Sequence, residues 1–265
     1  SGRQSPEVMR MSRNASRPPA LLGIDLGTSS VKVVVLDLDG KLLASTSAGY
    51  PVQNRGPGWA ETDPTLWWSA VVDSVHAATA AAAPATPEAV GLSGQMHGLV
   101  ATGADGRAVR PAMLWSDSRA VDQLAAYRSL RGPLRARLGN PLTPGMAGPM
   151  LAWLAEREPQ TYAVTRWALQ PKDWLRAQLT GQFVAEPSDA SATLLYDILG
   201  DSWDVEVVAE LGLDAGLLAP LLGSAGQRAG ELQPGPAAEL GLEPGIPVAA
   251  GAADTAAAAL GSGLV

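Results

Sequence analysis

The chain has 265 residues, 46% hydrophobic and 17% charged, with a formal net charge of −7 at pH 7. This is ordinary for a folded soluble domain, and the acidic excess argues against a general nucleic-acid grip, which needs a basic face to neutralise phosphates. No cysteine and two histidines exclude disulfides, thiolate zinc sites and cysteine nucleophiles and disfavour a histidine-built metal site; an anionic nucleotide stays allowed, because a phosphate loop works largely through backbone N–H groups.

Residues 1–20 (SGRQSPEVMRMSRNASRPPA) lack the apolar core of a signal peptide, so a disordered tail or a cloning remnant is expected there. No run approaches the roughly 18 apolar residues of a membrane span, which makes a cytoplasmic protein with no membrane partner the default. Residues 21–26 (LLGIDL) and 31–38 (VKVVVLDL) read as strands separated by Gly27-Thr28-Ser29-Ser30. Asp39-Gly40 is a hairpin-turn dipeptide that leads into a third strand at 41–47. Asp63-Pro64 reads as a helix cap plus first helical position, after which Trp67, Val71, Val75 and Ala78 recur at helical spacing as one buried stripe. A strand at 88–92 runs into Ser93-Gly94-Gln95-Met96-His97-Gly98, and 99–102 with 108–115 form a hairpin around Asp105-Gly106. From about 118 to 243 the chain reads as short helices broken by Pro and Gly; 171–181 (PKDWLRAQLTG) is one, closed by Gly181. A strand at 246–250 (IPVAA) and a small-residue helix at 255–260 complete the chain. No linker divides 21–265, so one α/β domain is expected.

Three stretches carry chemistry. In GIDLGTSSVK (23–32) an acid ends an apolar strand and Gly-Thr-Ser makes a tight turn. Its N–H groups and hydroxyls suit a phosphate, with Asp25 placed to hold Mg²⁺ or the water around it and Lys32 reaching toward the same anion. The alternative is a solvated hairpin turn whose acid satisfies the turn's own N–H groups. Gln95, Met96 and His97 follow the carboxyl end of a strand, where ligands collect in open α/β sheets and where an imidazole and an amide can hydrogen-bond a polyol. A histidine bonded to a nearby loop is the equal alternative, and His76, beside a buried helical stripe, carries no expectation of function. Asp254 emerges beyond the strand 246–250, flanked by Ala and Gly that leave space for a ligand, and would also serve as N-cap of helix 255–260. Asp25, His97 and Asp254 all fall just past strand ends, and parallel strands would bring them to one sheet edge. Trp67, Trp68, Trp153 and Trp174 are assigned to packing; Trp59 and Trp115 lie in or near loops, with sugar stacking as their secondary reading. Asp117 and Asp173 read as caps or local pairs.

Taken in order, GIDLGTSSVKVVVLDLDG, GWAETDPTLWW, GLSGQMHG, RPAMLWSDSRA, LQPKDWLRAQLTG and PVAAGAADTAAAALGSG resemble the amino-terminal half of FGGY-type carbohydrate kinases, most closely the xylulokinases. The first stretch alone is shared across the actin, Hsp70 and sugar-kinase superfamily. The resemblance implies an α/β, ribonuclease-H-like mixed sheet with flanking helices, one domain of a normally two-domain kinase. It makes 21–265 the sugar-binding domain and leaves the carboxy-terminal nucleotide-binding domain missing from this sequence, so the isolated chain is expected to show little or no kinase activity.

The same resemblance implies ATP and Mg²⁺ as cofactors and a small-molecule sugar as partner. Asp25 matches the acid associated with Mg²⁺ and the transferred phosphoryl group, and Gly27, Thr28 and Ser29 match the phosphate loop. Met96 and His97 match the pair that contacts the ketose, and Asp254 matches the catalytic base. Glycerol kinases of the family carry Arg-Glu where this chain has Met96-His97, which moves the expectation toward D-xylulose. Thr255 stands where xylulokinases often have Asn; it keeps a hydroxyl but loses a two-donor amide. Ribulose, gluconate and glycerol therefore stay open as substrates, as does a sugar-binding module without catalysis. A homodimer is compatible with the sequence.

Overall fold

The computed structural model describes residues 17–264. The expected tail lies outside the described residues up to position 16, and its last two positions, Pro19 and Ala20, already belong to the first strand. Strands β1 (Pro19–Leu26), β2 (Ser30–Asp37) and β3 (Leu42–Gly49) form an antiparallel meander. The Asp-Gly turn between β2 and β3 forms as expected: Gly40 has φ 83°, and Asp37 Oδ1 accepts the N–H of Asp39 and Lys41. After β4 (Glu61–Thr62), helix α1 (Pro64–Ala82) starts on Asp63, which accepts the N–H of Thr65. Trp67, Val71, Val75 and Ala78 are fully buried, and the helix lies across β2 and β3.

Strand β5 (Thr86–Gly94) returns parallel to β1. The hairpin expected next forms only as the single bridges Leu99↔Met113 and Thr102↔Ala108. Its strand β6 (Val100–Thr102) also pairs, along its other edge, with β8 (Trp167–Leu169), and β7 (Ala112–Met113) pairs with β4. Pro111 explains the difference, since it has no N–H to continue a ladder. Between β7 and β8, α2 (Leu124–Ser129), α3 (Gly132–Arg137), α4 (Ala147–Arg157) and α5 (Pro159–Val164) help build two small cores, around Met150 and Leu154 and around Tyr127 and Leu138. Helix α6 (Pro171–Thr180) ends at Gly181 with φ 69°. Next along the chain are α7 (Pro187–Ala190), the hairpin β9 (Tyr196–Asp197) and β10 (Ser202–Trp203), and α8 (Val205–Glu210). Then come β11 (Arg228–Glu231), α9 (Pro234–Leu240), β12 (Pro247–Ala249), β13 (Ala252–Ala253) and α10 (Asp254–Gly261).

The main sheet runs β11-β12-β5-β1-β2-β3, with β13 also pairing β5. It is mixed: β12 and β13 both run parallel to β5, as β1 does. Alternation along the strands sends Leu22, Ile24, Leu26, Val31, Val33, Val35, Val90, Leu92 and Val248 to one face, where α1, α6 and α9 complete a single core. Period-2 geometry then obliges Asp25 to the other face. No described helix is long and apolar enough to cross a membrane.

The step from β12 to β13 depends on Gly251. Its φ is 80°, and a Cβ there would lie 2.5 Å from the carbonyl oxygen of Leu92. Gly251→Ala is therefore expected to lower the unfolding free energy by roughly 2–4 kcal/mol, from backbone strain plus overpacking, measured as a reduced urea midpoint at unchanged slope.

Candidate functional site

The turn between β1 and β2 closes around Gly27. A Cβ at that position would sit 2.8 Å from the carbonyl oxygen of Ser30, and the Gly27 N–H donates to that same oxygen at 3.0 Å. Its own carbonyl accepts the Tyr50 hydroxyl at 2.6 Å and the Gln95 amide at 2.9 Å. Among the described residues no acceptor takes the N–H of Thr28 or Ser29. The loop's free donors are thus those two N–H groups and the neighbouring hydroxyls, while the Gly27 N–H serves the turn. Trp115, half exposed, donates its indole N–H to the Thr28 hydroxyl at 2.9 Å.

Asp25 sits one residue before the end of β1, half-buried. Its Oδ1 is buried and accepts no hydrogen bond, a costly state for a carboxylate oxygen that a cation would relieve. Burial, and next the Asp25 charge, push the Tyr50 phenol well above the usual tyrosine range. Among the described residues no three or more His, Cys, Asp or Glu side chains gather as a metal cage. A single carboxylate fits magnesium, which keeps several waters and is completed by substrate phosphates. Lys32 lies directly opposite Asp25 on β2 and is exposed.

On the other side of the edge, Met96 and Thr255 come together: the Thr255 hydroxyl donates to the Met96 sulfur at 3.0 Å. His97 has a left-handed backbone, φ 72°. Its N–H donates to Gln170 Oε1 at 2.9 Å, and its Nδ1 lies 2.9 Å from the carbonyl of Ala192. A carbonyl only accepts, so Nδ1 carries the proton and, in the neutral ring, Nε2 presents a lone pair. Gln95 differs from its expected sugar contact. It is 1% exposed and supports the Gly27 carbonyl. Asp254 is the first residue of α10 rather than its cap; Ala253 is the cap and has no side chain to bond. Asp254 Oδ1 accepts the N–H of Thr255 at 2.6 Å.

Register brings these parts to one edge. Asp25, Ser93 and Ala252 align across β1, β5 and β13, and Asp254 comes two residues after Ala252. At about 4.8 Å per strand, Asp25 and Ala252 stand roughly 10 Å apart across the sheet, and Asp254 follows Ala252 at the edge that the β5 end and its His97 also reach. Trp59 takes no part: the Arg119 guanidinium covers its ring at 3.6 Å and Trp153 meets its edge. Asp117 is buried in a network with Arg119 and the Ala60 N–H. A separate cavity of about 660 Å³, lined by Trp68, Arg110, Trp174 and Glu239 among others, holds none of the predicted site residues.

Beneath the β12–β13 step lies a buried charge cluster that sequence reasoning did not single out. Lys172 Nζ is 2.7 Å from Asp173, 3.2 Å from Asp189 and 3.4 Å from Glu186, and Arg176 Nη1 is 2.9 Å from Asp173. Burial pulls the Lys172 pKa down, but Asp173, Asp189 and Glu186 outweigh it and hold the ammonium above the usual lysine value. Asp189 is fully buried, with one oxygen 3.2 Å from the Lys172 ammonium. Burial therefore pushes its carboxyl up to about 7, against the pull of Lys172 and with Asp173 and Glu186 adding to the rise. One signal was available: Lys172 is one of three lysines in the chain, and it sits in a helix whose other faces also read as buried. Tyr50 gave no such signal.

Residues 20–261 match the FGGY family of carbohydrate kinases, N-terminal domain. The chain is 34% identical to the xylulose kinase of Escherichia coli (strain K12) over 244 residues, 92% of this chain and 50% of that protein. Among solved structures, the xylulose kinase from Rhodospirillum rubrum superposes with a TM-score of 0.88 at 26% identity, covering 93% of this chain and 51% of that one. The gluconate kinase from Lactobacillus acidophilus gives 0.83 at 26% identity, covering 89% and 48%. The chain thus spans about half the length of the curated relatives it matches.

The proton on Asp189 has a measurable consequence. An unfolded Asp loses its proton near 3.8 and the folded one near 7, so stability from the protonated form is complete below about 4 and is lost as pH rises through about 7. Urea midpoints are expected to fall between pH 5 and 8, and Asp189→Asn is expected to flatten that fall.

Proposed function

This chain belongs to the FGGY family of carbohydrate kinases, and from that premise we propose that it is the sugar-binding half of a kinase that phosphorylates D-xylulose at the expense of ATP. The observation that carries this reading is the convergence of Asp25, His97 and Asp254 on one carboxyl edge, through the parallel pairing of β1, β5 and β13. An anion loop, a hydrogen-bonding imidazole and an unpaired acid are the parts that phosphoryl transfer to a sugar hydroxyl requires.

In this mechanism the Asp254 carboxylate accepts the proton of the C5 hydroxyl while that oxygen attacks the γ-phosphorus, yielding D-xylulose 5-phosphate and ADP. The N–H groups of Thr28 and Ser29 hold phosphoryl oxygens. Bound beside Asp25, magnesium would supply charge that offsets those oxygens. His97 accepts a hydrogen bond from a sugar hydroxyl at Nε2, its tautomer fixed by the Ala192 carbonyl. Met96 gives an apolar wall, and Thr255, whose own proton points to the Met96 sulfur, is left to accept from a second hydroxyl. Trp115, half exposed beside Thr28, offers a flat apolar surface to the sugar carbons. Transfer of this kind depends on positioning and on excluding water.

Substrate choice is the finer part of the proposal, since a gluconate kinase and a xylulose kinase share this fold at equal identity. Titrating the chain with D-xylulose, D-ribulose, D-gluconate and glycerol, with and without MgATP, is expected to favour D-xylulose. A preference for gluconate or glycerol overturns the ketose assignment. In a chain that turns over, Asp254→Ala is expected to cut the rate by roughly 10²–10⁴-fold, the usual contribution of a general base, with the fold intact by circular dichroism. Near-normal turnover removes Asp254 from the mechanism.

A further inference from the structure

We propose that Ser188 is a positioning residue whose hydroxyl fixes where Asp254 stands relative to His97; this rests on the reading of Asp254 as part of the sugar site. Ser188 Oγ lies 2.8 Å from both oxygens of Glu186, which as a carboxylate only accepts, so the hydroxyl proton points there. Its lone pairs are left for the N–H of Ala253, which donates to it at 3.0 Å. Ala253 immediately precedes Asp254. Because β13 is only two residues long, its ladder alone is a weak constraint on the start of α10.

The anchor behind Ser188 is rigid for reasons of charge. Glu186 is 1% exposed, accepts the N–H groups of Ser188 and Asp189, and faces the Lys172 ammonium at 3.4 Å. Lys172 and Arg176 in turn donate to the carbonyl of Ala250, at 3.4 and 2.6 Å. The turn that carries Asp254 is therefore gripped on both sides of Gly251, at Ala250 and at Ala253. Residues 186–192 also hold the opposite side of the site. Gln170 bridges the His97 N–H and the carbonyl of Asp189, and the Ala192 carbonyl takes His97 Nδ1. One short segment thus ties the imidazole and the acid to a common frame. Capping α7 does not require the Ser188 hydroxyl, since Glu186 already performs that role.

The test uses the chain itself. In Ser188→Ala, the exchange rate of the Ala253 amide is expected to rise about tenfold or more and D-xylulose affinity to fall by roughly tenfold, the lower end of what a lost supporting contact costs a site. The amides of Ile24 and Leu92 should keep their protection, reporting an intact sheet. Ser188→Thr, which keeps the hydroxyl, should restore both values to near wild type. Unchanged Ala253 exchange in Ser188→Ala overturns the proposal, as does a Ser188→Thr variant as impaired as the alanine. Asp254→Asn separates the two readings. If, in a chain that turns over, it phosphorylates D-xylulose like wild type while Ser188→Ala still frees the Ala253 amide, the role of Asp254 fails and the pinning stands; if Asp254→Asn abolishes turnover and Ser188→Ala changes nothing, the pinning fails and Asp254 stands.

Discussion

The site depends on the parallel pairing of β5 with β1 on one side and with β13 on the other. These segments are separated by tens to well over a hundred residues, and no local interaction brings them together. The apolar face they share does so: Leu22, Ile24, Val90, Leu92 and Val248 are each buried to within a few per cent. Burying such side chains contributes roughly 1.5–3 kcal/mol apiece, and a one-residue slip would turn them outward. Register is therefore set by the core, and the core's register is what puts Asp25, Ser93 and Ala252 in one row. The chemistry at the edge inherits its alignment from hydrophobic residues that never touch a ligand.

The last few residues before Asp254 are mostly buried but bring little hydrophobic side chain of their own. The run Ala250-Gly251-Ala252-Ala253 has little apolar surface, and Gly251 makes a turn no other residue would make without strain. Here a different device operates: five ionisable side chains from α6 and the start of α7 gather out of water, of which Lys172 and Arg176 reach the carbonyl of Ala250 while Glu186 orients the Ser188 hydroxyl onto the N–H of Ala253. Such clusters do not generally raise stability over an apolar substitute, because desolvation offsets the attraction. Their merit is directional. Two cations on one carbonyl, and a carboxylate-oriented hydroxyl on one N–H, specify a position that alanine contacts leave free. Two cations face three acids in this cluster, and burial raises Asp189 toward its neutral form.

Much of this fold was legible from local chemistry. Asp39-Gly40, the Asp63-Pro64 helix start, the Trp67–Ala78 stripe and Gly181 each act within a few residues, and each forms as the pattern implies. The parallel edge was legible as a conditional, since three groups fell past strand ends and only their pairing was unknown. What failed to show depended on distant partners. Gln95 has the chemistry of a sugar contact, but the Gly27 carbonyl, 68 residues away in sequence, takes its amide. Trp59 has the shape of a stacking platform, yet Arg119 already covers it. The 99–115 hairpin is reduced to single bridges where Pro111 leaves a gap in its second strand, while β6 pairs with the distant β8 along its other edge. Residue type announces what a side chain can do; tertiary pairing decides what it is offered.

His97 shows how the two constraints meet. A left-handed backbone at a residue with a Cβ costs of order 1–3 kcal/mol and persists only where surroundings over-determine it. Three contacts do so here: the N–H on Gln170, Nδ1 on the Ala192 carbonyl, and the Gly98 N–H on the Met96 carbonyl. Relaxing to an extended backbone would carry the ring away from the edge and break the first two. The strain thus has a geometric return, since it turns the chain back at the end of β5 and fixes which imidazole nitrogen stays free. Gln170 and Ala192 belong to the same frame that holds Ala253, so the strained residue and the acid are restrained by one body. A site assembled from three strands with weak ends keeps its internal distances because its two sides lean on the same buried charges, and not because either side is rigid alone.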